Sequence, residues 1–148
     1  MNESEPMNHT PDLQRVVAFY QTISPTTLAE LDTIYSVDAA FKDPFNDVQG
    51  LPAITAIFAH MFVQVSAPRF VVTTHVLQGS DAFLTWNFLF RMKPHAKQET
   101  CVHGATHLRF AADGRVAYHR DYWDVAEELY EKLPVIGSLM RLLKKAAQ

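Results

Sequence analysis

Two aspartates set among aromatic residues are the side chains of this chain best suited to acid–base chemistry. Asp43 lies between Phe41 and Phe45, and Asp121 lies two residues before Trp123. Burial of a carboxyl group among apolar side chains disfavours its charged form and favours proton exchange near neutral pH. Both have ordinary alternatives. An aspartate before proline often accepts hydrogen bonds from its own turn, and Asp121 has Arg120 beside it as an ion-pair partner.

Composition predicts one globular domain. The chain has 148 residues, of which 48% are hydrophobic and 20% charged, and its net charge of −3 disfavours nucleic acid as a partner. Cys101 is the single cysteine, which excludes an internal disulfide and predicts a reducing, cytoplasmic compartment. Residues 1–10 are mostly polar, have no signal-peptide pattern, and are predicted to form a disordered tail.

Hydrophobic spacing predicts helices before strands. Three helices are expected, one from Pro11 with Thr10 as its N-cap, one over residues 26–35, and one from Leu51 to about Val65. A short strand is expected over residues 39–45, and longer alternating runs occupy residues 69–77, 82–93, 101–112 and 115–124. This order predicts an α+β fold in which a curved, mainly antiparallel sheet wraps over the three helices.

Strand alternation predicts which residues face the helices. His119 and Asp121 share one parity with Trp123, while Thr106 shares the apolar parity of its own strand. The resulting pocket combines aromatic walls with a few polar groups, as small-molecule sites do. Its predicted members are Tyr20, Asp43, Phe58, Trp86, Phe88, Thr106, His119, Asp121 and Trp123.

A metal site is not expected from the sequence. His103 and His107 have the spacing of a zinc motif on a helix, but four residues of a strand span about 13 Å. Their parity is opposite to that of Thr106, so both should face outward. No glycine-rich phosphate loop is present in the sequence, and the prediction is a protein that uses no cofactor.

The segment YSVDAAFKDPF, residues 35–45, resembles the part of ketosteroid isomerases in which a tyrosine ends the second helix and an Asp-Pro pair follows. The resemblance implies that Asp43 is the base that moves a proton beside a carbonyl. It also implies that Tyr20 donates a hydrogen bond to the developing oxyanion, with Tyr35 as the tyrosine of the segment.

The segment HRDYWDVAEELYEKLP, residues 119–134, is similar to the end of limonene-epoxide hydrolases. That resemblance implies that Asp121 exchanges a proton with a substrate oxygen. With the element order over roughly residues 11–130, the chain resembles the NTF2-like superfamily and its SnoaL-like members. The implied architecture is an NTF2-like cone over residues 11–133, followed by an additional C-terminal helix.

Several positions depart from both enzyme families. Thr106 stands where ketosteroid isomerases have a protonated aspartate, and Phe58 replaces a supporting tyrosine. Trp86 and Phe88 replace an arginine and an aspartate of the epoxide hydrolases, and Asp43 replaces their asparagine. Losing one oxyanion donor typically lowers turnover by ~10²–10³. The departures therefore predict neither ordinary steroid isomerisation nor a complete epoxide-hydrolysing triad.

The function predicted from these residues is cofactor-free acid–base catalysis of an isomerase, cyclase or hydrolase type on a small apolar, oxygenated molecule. In this hypothesis Asp43 moves the proton, Tyr20 polarises an oxygen, and Asp121 with His119 supplies a second acid–base group. The substrate-binding residues would be Tyr35, Phe58, Trp86, Phe88, Thr106, His119 and Trp123. The alternative is a non-catalytic module that binds a hydrophobic ligand or a protein partner.

Residues 134–148 are predicted to form a separate amphipathic helix, with Arg141, Lys144 and Lys145 off its apolar stripe. Packing on the same domain or on a partner in a homodimer is the favoured interpretation. Contact with an anionic membrane surface is the weaker alternative.

Overall fold

A curved, unclosed sheet forms the body of the protein in the computed structural model, which describes residues 5–129 and 142–147. Its strands are β1 (Tyr35–Lys42), β2 (Asp47–Gln49), β3 (Ser66–Gln78), β4 (Asp81–Arg91), β5 (Thr100–Phe110) and β6 (Val116–Tyr122). Their order across the sheet is β2-β1-β6-β5-β4-β3. The pairing of β1 with β6 is parallel, and the other neighbouring strands of this sheet are antiparallel.

The helices cover one face of this sheet. They are α1 (Thr10–Gln21), a 3-10 turn (Thr27–Glu30), α2 (Leu31–Ile34), α3 (Leu51–Gln64) and α4 (Val125–Glu128). Helix α1 packs on β3, and α3 packs on β1 and β3. The predicted α+β class, with a sheet wrapped over N-terminal helices, is therefore confirmed.

The folded domain begins earlier than the predicted tail boundary at residue 10. His9 is the N-cap of α1 and is only 2% exposed, while Thr10 is already helical. The His9 ring stacks on Phe110 at 5.2 Å, and its Nδ1 lies 2.8 Å from Asp12 Oδ2. Packing of this ring against β5 fixes the boundary, and the polarity of the first residues gave no sign of it.

The predicted second helix is shorter than its sequence pattern. Only residues 27–34 are helical, and β1 starts at Tyr35 rather than at residue 39. Strand β1 pairs with β2 on one side and with β6 on the other, so the tertiary pairing overrides the local helical spacing. It ends at Lys42, just before the Asp43-Pro44 pair.

The inward parity predicted for β4 and β5 is confirmed. Leu84, Trp86 and Phe90 are buried on β4, and Thr106 and Leu108 are buried on β5. These residues face the helices, so the sheet supplies one wall of the core and the helices supply the other.

One prediction concerns the C-terminal region. Of the helix expected over residues 134–148, the structure describes residues 142–147, and residues 142–146 are helical. Residues 134–141 and 148 lie outside the described residues. Within the described part of the chain, no helix is long and apolar enough to cross a membrane.

Candidate active site

A cavity of about 1010 Å³ lies between the sheet and the helices, and its lining is predominantly apolar. The predicted site residues that line it are Tyr20, Asp43, Phe58, Trp86, Phe88, Thr106, His119, Asp121 and Trp123. Tyr35 is the predicted member that does not border the cavity. Its side chain is fully buried behind the wall.

Three polar side chains form a hydrogen-bonded triangle at one wall of the cavity. The Tyr20 and Tyr35 hydroxyl oxygens lie 2.5 Å apart. His119 Nδ1 lies 3.0 Å from the Tyr20 hydroxyl and 2.8 Å from the Tyr35 hydroxyl. These residues come from α1, β1 and β6, so the triangle is assembled only when all three elements pack together.

The triangle continues into a second set of hydrogen bonds. His119 Nε2 lies 2.7 Å from Asp121 Oδ1, and the Thr106 hydroxyl donates to the same oxygen over 2.6 Å. Trp86 Nε1 donates to the Thr106 oxygen over 2.8 Å. The chain of contacts therefore runs from the indole of Trp86 to the hydroxyl of Tyr20.

The direction of these bonds follows from the donors available. The Trp86 indole can only donate, so Thr106 accepts from it and gives its one hydroxyl proton to Asp121 Oδ1. That oxygen is thus an acceptor, and His119 must donate to it from Nε2. No described residue donates to Asp121 Oδ2, while Asp121 lines the cavity and its side chain is 18% exposed.

Trp86 can take this position because its neighbour across the sheet is a glycine. Trp86 and Gly104 are register partners on β4 and β5. A Cβ atom at residue 104 would lie 2.3 Å from the indole ring, far inside van der Waals contact. The indole therefore lies flat against β5 and reaches Thr106 two residues further along the strand.

Asp43 has a different environment from Asp121. Its Oδ1 accepts hydrogen bonds from the backbone N–H groups of Phe45 and Asn46, at 2.8 and 2.7 Å. The Asn46 amide contacts both Asp43 oxygens at 3.0 Å. Asp43 is half-buried at the cavity lining, and its carboxylate stabilises the Asp43–Asn46 turn.

Burial sets the protonation of the two tyrosines. It raises the pKa of Tyr20 far above its ordinary value of 10.0, with the negative charge of Asp121 adding to the rise and the hydrogen bond from Tyr35 opposing it. It also raises the pKa of Tyr35 well above 10.0, and Tyr20 and Asp121 add to that rise. Both hydroxyls are therefore protonated hydrogen-bond donors at neutral pH.

Further aromatic residues complete the walls. Phe41 stacks on the His119 ring at 4.3 Å, and Phe70 stacks on Phe88 at 4.6 Å. Phe70 also contacts Trp86 edge-on at 5.8 Å. Phe41 and Phe70 are two cavity-lining residues that were not predicted from the sequence, although strand parity was a usable signal for both.

The two outward histidines have local partners. His107 Nε2 lies 2.8 Å from Asp81 Oδ1, and this hydrogen bond is the main reason that the pKa of Asp81 is lowered. His103 Nδ1 lies 2.6 Å from Asn87 Oδ1. Among the described residues, no group of histidine, cysteine, aspartate and glutamate side chains has the geometry of a metal site.

Comparison with known protein families identifies the domain. The sequence profile of the SnoaL-like domain matches residues 16–119, which is most of the chain. The chain belongs to the SnoaL-like domain family. This membership confirms the family resemblance noted in the sequence, whereas no curated protein matches the chain significantly.

Solved structures of SnoaL-like and related proteins share the fold. A candidate SnoaL-like polyketide cyclase from Jannaschia sp. CCS1 has a TM-score of 0.69 and 16% identity, over 86% of this chain and 93% of that one. A hypothetical protein with a ketosteroid isomerase-like fold from Catenulispora acidiphila, solved with trimethylamine, has a TM-score of 0.68 and 16% identity, over 81% and 90%. An LEH-like epoxide hydrolase from M. tuberculosis has a TM-score of 0.67 and 13% identity, over 92% and 91%. These likenesses establish the NTF2-like cone.

Proposed function

We propose that this SnoaL-like protein is a cofactor-free acid–base enzyme whose base is Asp121. The observation that carries the proposal is the environment of its carboxylate. Oδ1 is held by Thr106 and His119, while Oδ2 receives no hydrogen bond from a described residue at the lining of an apolar cavity. A carboxylate fixed at one oxygen and open at the other is oriented for proton transfer.

Asp121 is preferred over Asp43 because of what each carboxylate already binds. Both Asp43 oxygens accept hydrogen bonds within its own turn, so proton abstraction there would disrupt the turn. Asp121 can accept a proton on Oδ2 while both bonds to Oδ1 remain in place. The proposal thus gives to Asp121 the role of base that the ketosteroid isomerase resemblance implied for Asp43.

The proposed reaction is a proton transfer beside a carbonyl. Asp121 Oδ2 removes a proton from a carbon next to the carbonyl, and the electron pair of that C–H bond moves to the carbonyl oxygen to give an enolate. Tyr20, which lines the same cavity, donates a hydrogen bond to that oxygen. Asp121 then returns the proton to carbon, so no other reactant is consumed. Isomerisation and cyclisation can both proceed from such an enolate.

The substrate class follows from the cavity. A volume of about 1010 Å³ with mainly apolar walls suits a molecule of one to several rings that carries few oxygens. Trp86, Phe88 and Phe70 supply flat surfaces against which rings can stack. We propose a cyclic ketone or a related carbonyl compound as the substrate.

Hydrogen–deuterium exchange tests the reaction without knowledge of the natural substrate. The α-protons of cyclohexanone and 2-tetralone would be followed by NMR in D₂O with and without protein. We expect catalysed exchange that falls by ~10²-fold or more in Asp121→Asn and by much less in Asp43→Asn. The exposed Asp38→Asn is the matched control and should behave as the parent protein does. Full exchange activity in Asp121→Asn would exclude Asp121 as the base.

A non-catalytic binding module is the second candidate, and the size and apolar character of the cavity favour it. Such a module would bind the same ketones and their hydrocarbon analogues, but it would catalyse no α-proton exchange. Binding of 2-tetralone without exchange, in the parent protein and in Asp121→Asn alike, would support this candidate and exclude the enzyme.

A further inference from the structure

The triangle of Tyr20, Tyr35 and His119 has three short contacts, and the number of protons available to them depends on His119. Asp121 Oδ1 requires that His119 keep a proton on Nε2, so only Nδ1 can change its state. When His119 is neutral, Nδ1 is an acceptor. When His119 is protonated, Nδ1 becomes a donor.

In the neutral state, both tyrosine protons are used inside the triangle. The 2.5 Å separation of the two hydroxyl oxygens requires a proton between them, because two bare oxygens at this distance repel each other. Nδ1 lies within 3.0 Å of both hydroxyls and needs a proton from one of them. Two hydroxyls supply two protons, so none is left to donate to a ligand.

When His119 is protonated, one tyrosine hydroxyl no longer donates inside the triangle, although it keeps its proton. Nδ1–H now supplies the bond between His119 and a tyrosine oxygen, and one hydroxyl proton remains between the tyrosines. The second hydroxyl proton has no place inside the triangle. Tyr20 borders the cavity and Tyr35 does not, so the released donor is that of Tyr20.

We propose that His119 is a positioning residue whose protonation turns the Tyr20 hydroxyl toward a ligand oxygen in the cavity. Binding of an oxygen acceptor is therefore coupled to uptake of one proton by His119. This inference deepens the proposed function and rests on the same site. It selects ligands with a carbonyl or an anionic oxygen over hydrocarbons of the same shape.

The titratable groups that face His119 are Tyr20 from α1, Tyr35 from β1 and Asp121 from its own strand. The other neighbours of His119 are Phe41 of β1, which stacks on its ring, and Leu108, its register partner on β5, and neither side chain can titrate. Both tyrosines stay protonated because burial raises the pKa of each. His119, with Asp121 as its ion-pair partner, is thus the group that can change the proton count.

A pair of shape-matched probes measures the coupling. 2-Adamantanone is a ketone whose α-carbons are bridgeheads and cannot form an enolate, so its binding is separate from catalysis. 2-Methyleneadamantane has the same shape without the oxygen. Titrations from about pH 5.5 to about pH 8.5 should show ketone affinity falling by up to about tenfold per pH unit once His119 is neutral, with hydrocarbon affinity constant.

Variants separate this effect from a general loss of structure. His119→Gln should abolish the pH dependence, and Tyr20→Phe should bind the two probes with equal affinity at every pH. The exposed His75→Gln, on β3, is the matched histidine control and should leave the pH dependence intact. Equal pH dependence of the two probes, or failure of both to bind the parent protein, would overturn the inference.

A measurement without ligand tests the same premise. Long-range ¹H–¹⁵N correlation spectra should show His119 as the Nε2–H tautomer at high pH and as the doubly protonated form at low pH. An Nδ1–H tautomer at high pH would overturn the inference. If the protein catalyses α-proton exchange but its ketone affinity does not depend on pH, this inference is wrong and the proposed function stands. If ketone affinity depends on pH but no exchange is catalysed, the proposed function is wrong and this inference stands.

Discussion

At the scale of single residues, two aspartates at the same cavity have different hydrogen-bond partners. Asp43 and Asp121 both line the cavity, but Asp43 binds two backbone N–H groups of its own turn and Asp121 binds side chains from β5 and β6. The two carboxylates can be distinguished by the hydrogen bonds that each of their oxygens already accepts. By that criterion we propose a structural role for Asp43 and the role of base for Asp121.

The first prediction concerns the turn at Asp43. Asp43→Ala removes the acceptor for two backbone N–H groups and for the Asn46 amide, and it should lower the free energy of unfolding by about 1–2 kcal/mol. Urea unfolding monitored by circular dichroism measures the change. The exposed Asp38→Ala should change stability by less than about 0.5 kcal/mol. Equal stability of the two variants would contradict the structural role of Asp43.

The second prediction concerns the buried hydroxyls of Tyr20 and Tyr35. Burial raises the pKa of both above 10.0 in the folded state, whereas in the unfolded state each ionises near 10.0. Their contribution to stability is therefore complete below pH 10 and is lost as the pH rises above it. The loss should be about 1.4 kcal/mol per pH unit for each tyrosine.

Urea unfolding at several pH values above 10 measures how the free energy of unfolding falls with pH. Tyr20→Phe should reduce that slope by the contribution of one tyrosine, about 1.4 kcal/mol per pH unit. Absorbance of tyrosinate provides a second readout. Folded Tyr20→Phe should show the same tyrosinate signal as the folded parent protein near pH 11, because Tyr20 is still protonated there. A smaller signal in the variant would mean that Tyr20 ionises in the folded protein.

At the scale of secondary-structure elements, the pairing of β4 with β5 positions the site. The indole of Trp86 lies over Gly104 and reaches Thr106, which in turn holds Asp121 on β6. The pairing of a large residue, Trp86, with a glycine on the next strand thus positions the carboxylate of Asp121 on β6. The position of the glycine matters as much as the position of the acid.

The third prediction tests this pairing. Gly104→Ala places a Cβ atom 2.3 Å from the Trp86 indole and forces the ring to move, which should lower the free energy of unfolding by about 1–3 kcal/mol. It should also shift tryptophan fluorescence and reduce α-proton exchange, since Thr106 loses its donor. The matched control is Ala105→Gly on the same strand, next to the pair. Unchanged fluorescence and exchange in Gly104→Ala would show that Trp86 does not position Thr106.

At the scale of the whole molecule, helices and sheet together enclose the site. Helix α3 contributes Ala53, Ala56 and Phe58 to one wall of the cavity, and β4 contributes Trp86 to another. No single element forms a binding surface by itself. Access to the cavity can therefore be changed from the helices without touching the polar residues.

The fourth prediction uses two alanines of α3. Ala56 lines the cavity, whereas Ala59, which is exposed on the same helix, does not. Ala56→Trp should weaken binding of 2-adamantanone by about tenfold or more by filling the cavity, while Ala59→Trp should leave it unchanged. Both variants should keep the stability of the parent protein, because both positions are exposed. Equal affinities in the two variants would place the ligand elsewhere.

The sequence by itself determined the order of the longer helices and strands, the α+β class and the inward faces of β4, β5 and β6, but it did not predict the short strand β2. Hydrophobic periodicity is local, so it is readable without coordinates. Two short segments were also enough to indicate the NTF2-like superfamily. Helix and strand periodicity, together with this resemblance, also predicted that Tyr20, Thr106, His119 and Asp121 face inward.

The tertiary structure alone decided how these residues are connected. His119 contacts Tyr20 and Tyr35 from 99 and 84 residues away along the chain, and no local pattern encodes such pairs. From the sequence, Asp43 could either point into a pocket or accept hydrogen bonds within its own turn. The structure shows that its carboxylate does accept hydrogen bonds within the turn. Periodicity specifies which face a side chain occupies, but the partner of each polar atom depends on which elements pack together, and packing is a property of the whole fold.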